Sequence, residues 1–568
     1  MGKKRAQTAL LLLTSLLAVL VPFYYAFLDP DWHHDGIMFK PAADVAAGLT
    51  LFRDTFFQYG ALTAYLHAFA IKIFGAYLLV IRLEAALFLV GIALLIFFLA
   101  RKIANTSVAA LIVLVWLSVS PYFGGALLPW SSIYAVFFVL LAGALLISAF
   151  DPQKTPPAAY WLSLAAGIAI SAAFWSRQPV GVLLPFGFLI FLILLLDRNY
   201  SRGRIIRSAA FYCLGFLLLT AVFLGYLQIA GALGDWWTQS IVGASSFATD
   251  MKNVEQSFLA DVLNHLLPWS PRSNRIKGLG GGFIWSLLPL LCVGVFASLL
   301  GALLFRRKLS ASNRSLLIVT VLAIGMWHQY FPVSSSWQIY WGATLMLVPV
   351  ITAIFTIASF MTKKSIGVAL IGLILVGLLF GQESNRRVRL GLTMMHYAPL
   401  SVPTLEGMWA SKLMASKNRF SGTPLEYGLE LHHLGEVLSN VRVLDPQKPL
   451  TTLGADLFLP ATLAAKNPGP MTAGWYWLSL LYPNHAERLK QFIREEQPLI
   501  EIKLKPDIPY HYLNWESQHP DHVQMRKEFG LADYAELIRS EYSDSGTSII
   551  IAPSSFIARY NQEFRQND

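Results

Sequence analysis

The sequence predicts a polytopic α-helical membrane protein with about 11 transmembrane helices, interfacial helices in its first outer loop, and a C-terminal soluble α/β outer domain. Three observations lead there. The 568 residues are 55% hydrophobic and only 14% charged, too apolar for a soluble chain of this size. Many apolar runs exceed the ~18 residues that mark a membrane crossing, and they are continuous rather than alternating, which favours helices over a barrel. After residue 381 the hydropathy drops and acidic residues, Pro and His accumulate, which divides the chain into a membrane domain, 1–381, and a soluble domain, 382–568.

Composition also excludes some classes. The formal net charge of +11 comes largely from Lys and Arg in short loops between spans, as the positive-inside rule expects, so no nucleic acid is implied. Cys213 and Cys292 both fall inside apolar runs, which supports neither a disulfide framework nor a Cys-based metal site.

In chain order, span 1 covers 7–28, and Lys3, Lys4 and Arg5 ahead of it place the N-terminus in the cytoplasm. The run continues through Tyr24, Tyr25 and Phe27 without a small-x-small cleavage site, so an uncleaved span is expected rather than a signal peptide. The loop Asp29-Pro30-Asp31-Trp32-His33-His34-Asp35-Gly36 then lies outside. Met38 to Leu49, interrupted by Lys40 and Asp44, has the spacing of a short amphipathic helix in the interface, ended by Gly48. The apolar piece Ala61 to Phe74 is short for a crossing.

Charge decides how that piece lies. If 61–74 lies flat, the later spans fall at 78–100, 106–120, 131–150, 159–174, 179–196, 208–230, 282–304, 315–331, 339–361 and 365–381. Arg101 and Lys102, Lys154, Arg198, Arg202, Arg204 and Arg207, Arg306, Arg307, Lys308 and Arg314, and Lys363 and Lys364 are then all cytoplasmic. A crossing at 61–74 would turn every one of these clusters outside. The expectation is therefore an integral inner (plasma) membrane protein with its N-terminus cytoplasmic and its C-terminal domain periplasmic or extracellular.

The outer loops share a chemical theme. Pro129-Trp130, Trp175-Ser176-Arg177-Gln178-Pro179, Asp235-Trp236-Trp237, the cluster Arg272, Arg275 and Lys277, and Trp327-His328-Gln329-Tyr330 bring cations, aromatics and amides to one face. Rings with paired donors and acceptors suit sugars, whose C–H faces stack and whose hydroxyls need partners. Arg177 reads either as an anchor at the membrane edge or as a fork onto a phosphate. His328 is a similar case. Arg272, Arg275 and Lys277 read as a lipid-phosphate site or as a solvated face. Arg386, Arg387 and Arg389 just past the last span fit anionic headgroups.

In the first loop, Asp35 is the candidate catalytic residue. A carboxylate at the bilayer edge can take a proton from an attacking hydroxyl, and partial burial would raise its pKa toward a useful range. His33 and His34 read as hydrogen-bonding groups for an acceptor or phosphate. The alternative is a divalent metal held by Asp31, His34 and Asp35. Arg82 and Glu84, near the start of the second span, have no evident partner in the sequence.

In the soluble domain, Val441-Arg442-Val443-Leu444 and Leu499-Ile500-Glu501-Ile502 read as strands, 486–496 and 531–541 as helices, and Ser548-Ile549-Ile550-Ile551 as a strand. The chain has no Walker A sequence, no Gly-rich dinucleotide fingerprint after a strand and no Gly-x-Ser-x-Gly element.

The order of these parts resembles the GT-C glycosyltransferase superfamily, which includes bacterial relatives of protein O-mannosyltransferases and the aminoarabinose lipid A transferase. Asp35-Gly36-Ile37, Ala43, Gly48, Phe52 and Gln58-Tyr59-Gly60-Ala61-Leu62 look like that group's first-loop signature, with Ala61 where many relatives have proline. The likeness covers residues 1–100 in sequence and the remaining spans in layout. It implies a sugar donor on a polyprenyl phosphate, a glycan, lipid or protein acceptor at the outer face, and inversion at the anomeric carbon. Together with the residue readings above, Asp35 is expected to be the general base or acceptor-positioning carboxylate, with Arg177 and His328 on the donor phosphate, assisted by Arg272, Arg275 and Lys277. His33, His34, Gln58, Tyr59, Gln178, Gln329 and Tyr330 would shape the sugar and acceptor site. Monophosphate-donor members generally use no metal, so no cofactor is expected. The rival expectations are a polymerase or ligase of lipid-linked glycans, and a non-enzymatic lipid or solute transporter, which should carry ionisable groups at mid-span.

Overall fold

The computed structural model describes residues 2–31, 34–121, 127–243, 282–306, 308–330, 336–362, 364–392, 397–400, 405–411, 424–453, 481–482, 484–503, 526–543 and 546–564. Helix α1 (Gly2–Ala26) leads into two short helices, α2 (His34–Ala46) and α3 (Ala61–Phe74). The bundle continues with α4 (Leu78–Ile103), α5 (Thr106–Ser118), α6 (Ser131–Ala149) and α7 (Pro156–Ser176). A 3-10 turn, Gln178–Val182, leads into α8 (Leu183–Leu194), followed by α9 (Arg202–Ile229) and the short α10 (Leu233–Trp236), which runs on as a π-helix to Val242. Next come α11 (Gly282–Arg306), α12 (Ala311–Met326) with a 3-10 turn at Trp327–Tyr330, α13 (Ser336–Ala343), α14 (Leu347–Met361) and α15 (Ser365–Leu392).

Among the described residues, eight helices are long and apolar enough to cross a membrane, which makes this an integral membrane protein. All eleven expected spans are helical, but α5, Gln178–Leu194 and α12 are shorter than that crossing length. Helix α3, with 14 residues, is about 21 Å long at the usual rise, short of the ~30 Å hydrocarbon core. Helix α15 runs past residue 381 to Leu392.

Helices α7 and α9 meet through glycines. A Cβ on Gly167 would sit 1.9 Å from the Tyr212 carbonyl oxygen, and one on Gly215 would sit 2.0 Å from that of Leu164. Small residues here let the two backbones touch, and the contact holds the end of α7 in place. The bundle core is built around Trp116, Tyr134, Ile170, Tyr212, Leu322 and Tyr340.

Among the described residues, the C-terminal part holds a two-stranded antiparallel sheet, β1 (Tyr397–Pro399) with β2 (Trp409–Ser411), and a four-stranded mixed sheet. The latter has the order β3 (Leu450–Thr452), β4 (Leu499–Lys503), β6 (Gly546–Pro553), β5 (Tyr534–Ser543). Only the β3–β4 pair is parallel. Alternation divides the faces. Ile500, Ile502, Ile549 and Ile551 pack with Leu489 and Ile493 of α17 (His485–Glu496). Leu499, Ile550 and Ala552 share a core with Leu434 and Leu438 of α16 (Pro424–Leu444) and with Phe556 of α18 (Ser554–Phe564). That second core also contains Met38, Phe57, Trp175 and Trp236, so the lobe and the first loop form one apolar unit.

Several expectations change. Val441–Leu444 closes α16 rather than forming a strand. Its buried residues Tyr427, Leu431, Leu434, Leu438 and Val441 repeat at three and four, a helical period that is invisible in a four-residue window. Residues 531–541 contain most of strand β5, not a helix. A register shift between Glu536 and Ile538 breaks the alternation, so Tyr534, Leu537 and Ile538 are all buried at helix-like spacing. Helix α2 begins at His34, and Lys40 and Asp44 are not its solvent face. They are buried as an ion pair, with the Thr55 hydroxyl donating to Asp44 Oδ2 at 2.7 Å. Arg314, counted among the cytoplasmic loop cations, is buried, and its Nε donates to buried Asp197 at 3.1 Å. Arg387 is likewise buried, against Glu383.

Candidate active site

The first loop is closed by its own acids. The Asp31 carboxylate accepts from the His34 backbone N–H at 2.8 Å, and Asp35 Oδ2 accepts from the Asp31 N–H at 2.7 Å, a reciprocal cap on the start of α2. Asp29, just before, has φ 51°, a left-handed conformation that Asp tolerates better than most residues.

Arg82, in the second turn of α4, supplies the rest of the closure. Its Nε donates to Asp35 Oδ1 at 3.2 Å and a terminal nitrogen donates to Asp35 Oδ2. The same guanidinium donates to the carbonyls of Leu28 and, at 3.0 Å, Asp29. Both Asp35 and Arg82 are fully buried. Burial pushes the Asp35 carboxyl above its usual range, while the charge and hydrogen bonds of Arg82 pull it down. Glu84 turns to another face of α4 and meets buried His67, with 2.7 Å between its Oε2 and His67 Nδ1. The other ring nitrogen, Nε2, donates to the Pro129 carbonyl at 3.1 Å. The two charges without evident partners thus close the first loop and brace the segment that carries Trp130.

Gly60 brings the second half of the signature into place. A Cβ there would lie 2.0 Å from the Trp175 carbonyl oxygen, so only glycine lets this turn press against the end of α7. Thr63 adds a hydrogen bond to the Ser176 carbonyl at 3.2 Å. The approach sets Tyr59 beside Arg177, whose guanidinium carbon lies 5.8 Å from the ring centroid. Burial holds the Tyr59 phenol above its ordinary pKa, and Gln58 is hydrogen-bonded to it.

Arg177 caps α7 and is half-buried. Its Nε donates to Gln329 Oε1 at 2.8 Å and one terminal nitrogen to Ser131 Oγ at 3.3 Å. Among the described residues no carboxylate pairs with it. Among the described residues, the amide nitrogen of buried Gln178 and the hydroxyl of buried Ser132 have no hydrogen-bond partner either. His328 supports this group from behind. Its Nδ1–H donates to the Gly325 carbonyl at 2.7 Å, so Nε2 accepts from the Gln329 amide and the ring is the neutral tautomer. Tyr330 is turned away, fully buried with its hydroxyl donated to the Trp285 carbonyl at 3.1 Å.

An aromatic run joins the two halves. The His34 ring lies 4.7 Å from Trp130, and Trp130 lies 5.7 Å from Tyr59. The structure therefore gathers Asp31, His34, Gln58, Tyr59, Arg177, Gln178, His328 and Gln329, with Asp35 sealed just beneath. His33, Arg272, Arg275 and Lys277 lie outside the described residues. No group of three or more His, Cys, Asp or Glu among the described residues is placed to hold a metal, since Asp31 faces His34 while Asp35 faces Arg82. Sequence reasoning missed Arg82, Glu84, His67 and Ser131 as part of this arrangement. Ionisable groups inside an apolar run were the available signal for the first three.

The fold and this arrangement define a class: an integral membrane protein with a charged first loop clamped onto the helix ends and a C-terminal lobe packed over it. Its fold is shared with membrane proteins of known structure. ArnT from Cupriavidus metallidurans, in a crystal structure bound to undecaprenyl phosphate, superposes with a TM-score of 0.54 at 14% identity, covering 97% of this chain and 99% of that one. The apo structure of the same protein gives 0.53 at 12% identity, with the same coverage. The Archaeoglobus fulgidus oligosaccharyltransferase tethered to an acceptor peptide gives 0.45 at 11% identity over 88% of this chain and 69% of that one, too distant to carry an argument. No family model and no curated protein matches the sequence.

Proposed function

We propose that this protein is a membrane glycosyltransferase that moves a sugar from a polyprenyl-phosphate donor to a glycan, lipid or protein acceptor on the extracytoplasmic face. One observation carries the reading. Arg177 is a half-buried cation with no carboxylate partner among the described residues, set beside an aromatic wall and unpartnered donors. A desolvated charge without a counter-ion costs several kcal/mol, and a bound phosphate would remove that cost. The shared fold with a protein crystallised on undecaprenyl phosphate supports the choice of anion.

In this reading the donor phosphate rests on Arg177, with Gln178 and Ser132 supplying further donors. The sugar lies against Tyr59 and Trp130. The acceptor oxygen attacks the anomeric carbon from the face opposite the phosphate, the bond from that carbon to the phosphate oxygen breaks, and the configuration inverts. Negative charge builds on the departing polyprenyl phosphate, where a guanidinium fixed by Gln329 and Ser131 stabilises it without reorganising. His328 acts on the phosphate through Gln329. Asp35, sealed behind Arg82, fixes the loop in this arrangement, and the base role expected of it requires that ion pair to open. Arg272, Arg275 and Lys277 retain their proposed role on the lipid phosphate, and the reading requires no metal.

The test is turnover of synthetic undecaprenyl-phosphate-linked pentoses and hexoses by the purified protein in nanodiscs. Wild type should release undecaprenyl phosphate, and Arg177→Ala should lower that rate about 100-fold or more. Movement of the intact lipid-linked sugar across vesicles with no cleavage would instead make the protein a transporter.

A further inference from the structure

The acceptor hydroxyl needs somewhere to leave its proton, and the carboxylate expected to take it is fully buried against Arg82. Another base stands at the rim. His34 Nδ1 lies 2.9 Å from Asp31 Oδ1, and about a third of the His34 side chain is exposed. A carboxylate can only accept, so Nδ1 carries the hydrogen and the basic nitrogen of the neutral ring is Nε2, on the far edge from Asp31. Asp31 cannot swing freely, because the same Oδ1 accepts the His34 backbone N–H at 2.8 Å. Its own N–H is held by Asp35, which Arg82 holds in turn. The ring is seated 4.7 Å from Trp130, and Trp130 leads through Tyr59 to Arg177. Imidazole and guanidinium are thus separated by two aromatic rings against which a sugar would lie.

Resting on the transferase reading, we propose that the Asp31–His34 pair is the general base, with Asp35 and Arg82 as its positioning groups. The acceptor O–H proton passes to His34 Nε2 as the acceptor oxygen bonds to the anomeric carbon. The electron pair of the broken carbon–oxygen bond leaves on the polyprenyl phosphate at Arg177. Asp31 stays ionised and stabilises the imidazolium that forms. Among the described residues, the charged and titratable groups nearest His34 in this arrangement are Asp31 in its own loop, Asp35 on α2, Arg82 on α4, and Tyr59 with Arg177 across Trp130. His33 lies outside the described residues.

The experiment measures turnover of undecaprenyl-phosphate-linked sugars alongside binding of undecaprenyl phosphate, for His34→Ala, His34→Gln and Asp31→Asn. His34→Ala should lower turnover ~10²–10⁴-fold and leave undecaprenyl phosphate binding as in wild type, which also shows that the variant is folded. Added imidazole should restore part of the lost rate, and His34→Gln, which can hydrogen-bond but not take a proton, should stay as slow as His34→Ala. Asp31→Asn should also be slow, without imidazole rescue. Wild-type turnover in His34→Ala, or recovery by His34→Gln, overturns the base while leaving the transferase standing. Absence of turnover in wild type overturns both.

Discussion

Arg82 shows how much one side chain can organise. It ties the end of α1, the strained Asp29 and the start of α2 to α4. Removing one partner of a buried ion pair leaves the other charge stranded, at a cost of ~3–5 kcal/mol. Arg82→Ala and Asp35→Asn should each lower the thermal midpoint in detergent, and the double variant should lose less than the sum of the two. Additive losses would show that the two side chains do not act as a pair. Gly60→Ala is the sharper packing test. Its Cβ would overlap the Trp175 backbone, so it should be worse than Gly48→Ala, where the added Cβ meets open space and the cost comes only from φ +101°. Gel filtration of the two variants in one detergent makes the comparison. The sequence singles out Arg82 and Glu84 as misplaced charges, yet it cannot name their partners. Asp35 lies 47 residues from Arg82 along the chain, and only tertiary packing joins them.

At the scale of elements, long periodic segments were legible and short ones were not. The eleven apolar runs all became helices because hydropathy over some twenty residues leaves little else in lipid. The lobe was harder. Strand β5 hides behind its bulge, and the end of α16 alternates by chance over four residues. The lobe also carries a pH-sensitive group. His485, at the start of α17, is buried with Nδ1 unpartnered, and burial pushes its pKa down from 6.5 to about 4, with Arg488 adding to the shift. The unfolded chain therefore binds this proton near pH 6.5 and the folded lobe only near pH 4. Stability falls as pH drops through that window, by ~3 kcal/mol at most. Hydrogen exchange at β4 should accelerate between pH 7 and pH 5, and His485→Phe should reduce the acceleration. An unchanged pH response in that variant would assign the effect to other groups.

At the scale of the molecule, the lobe is fastened to the site. Trp409 exchanges backbone hydrogen bonds with the end of span 1, accepting from Asp29 and donating to Phe27, both at 2.8 Å. Gln239 in the π-helix accepts from the Phe57 N–H at 3.0 Å, donates to the Phe52 carbonyl at 2.7 Å and donates to the Tyr482 hydroxyl at 3.0 Å. Tyr482 passes the link to Asp235 at 2.9 Å. Phe52, at φ 71°, is held in its strained conformation by this strap. Tyr482→Phe should leave the Gln239 amide and Asp235 without that hydroxyl, at about 1–2 kcal/mol, and should speed proteolysis in the 49–60 loop under native conditions. An unchanged cleavage pattern would mean that the shared apolar core alone holds the lobe. None of these long-range links is readable in the chain, whereas the first-loop signature and the theme of the outer loops were.

The central claim is that Arg177 is an anion site for a lipid phosphate, and binding of undecaprenyl phosphate to purified protein tests it most directly. Wild type should bind it. Arg177→Ala should weaken binding at least about tenfold, equivalent to ~1.4 kcal/mol, and Arg177→Lys should recover only part, because an ammonium keeps the charge but not the two-pronged geometry. Equal affinity in all three would contradict the account.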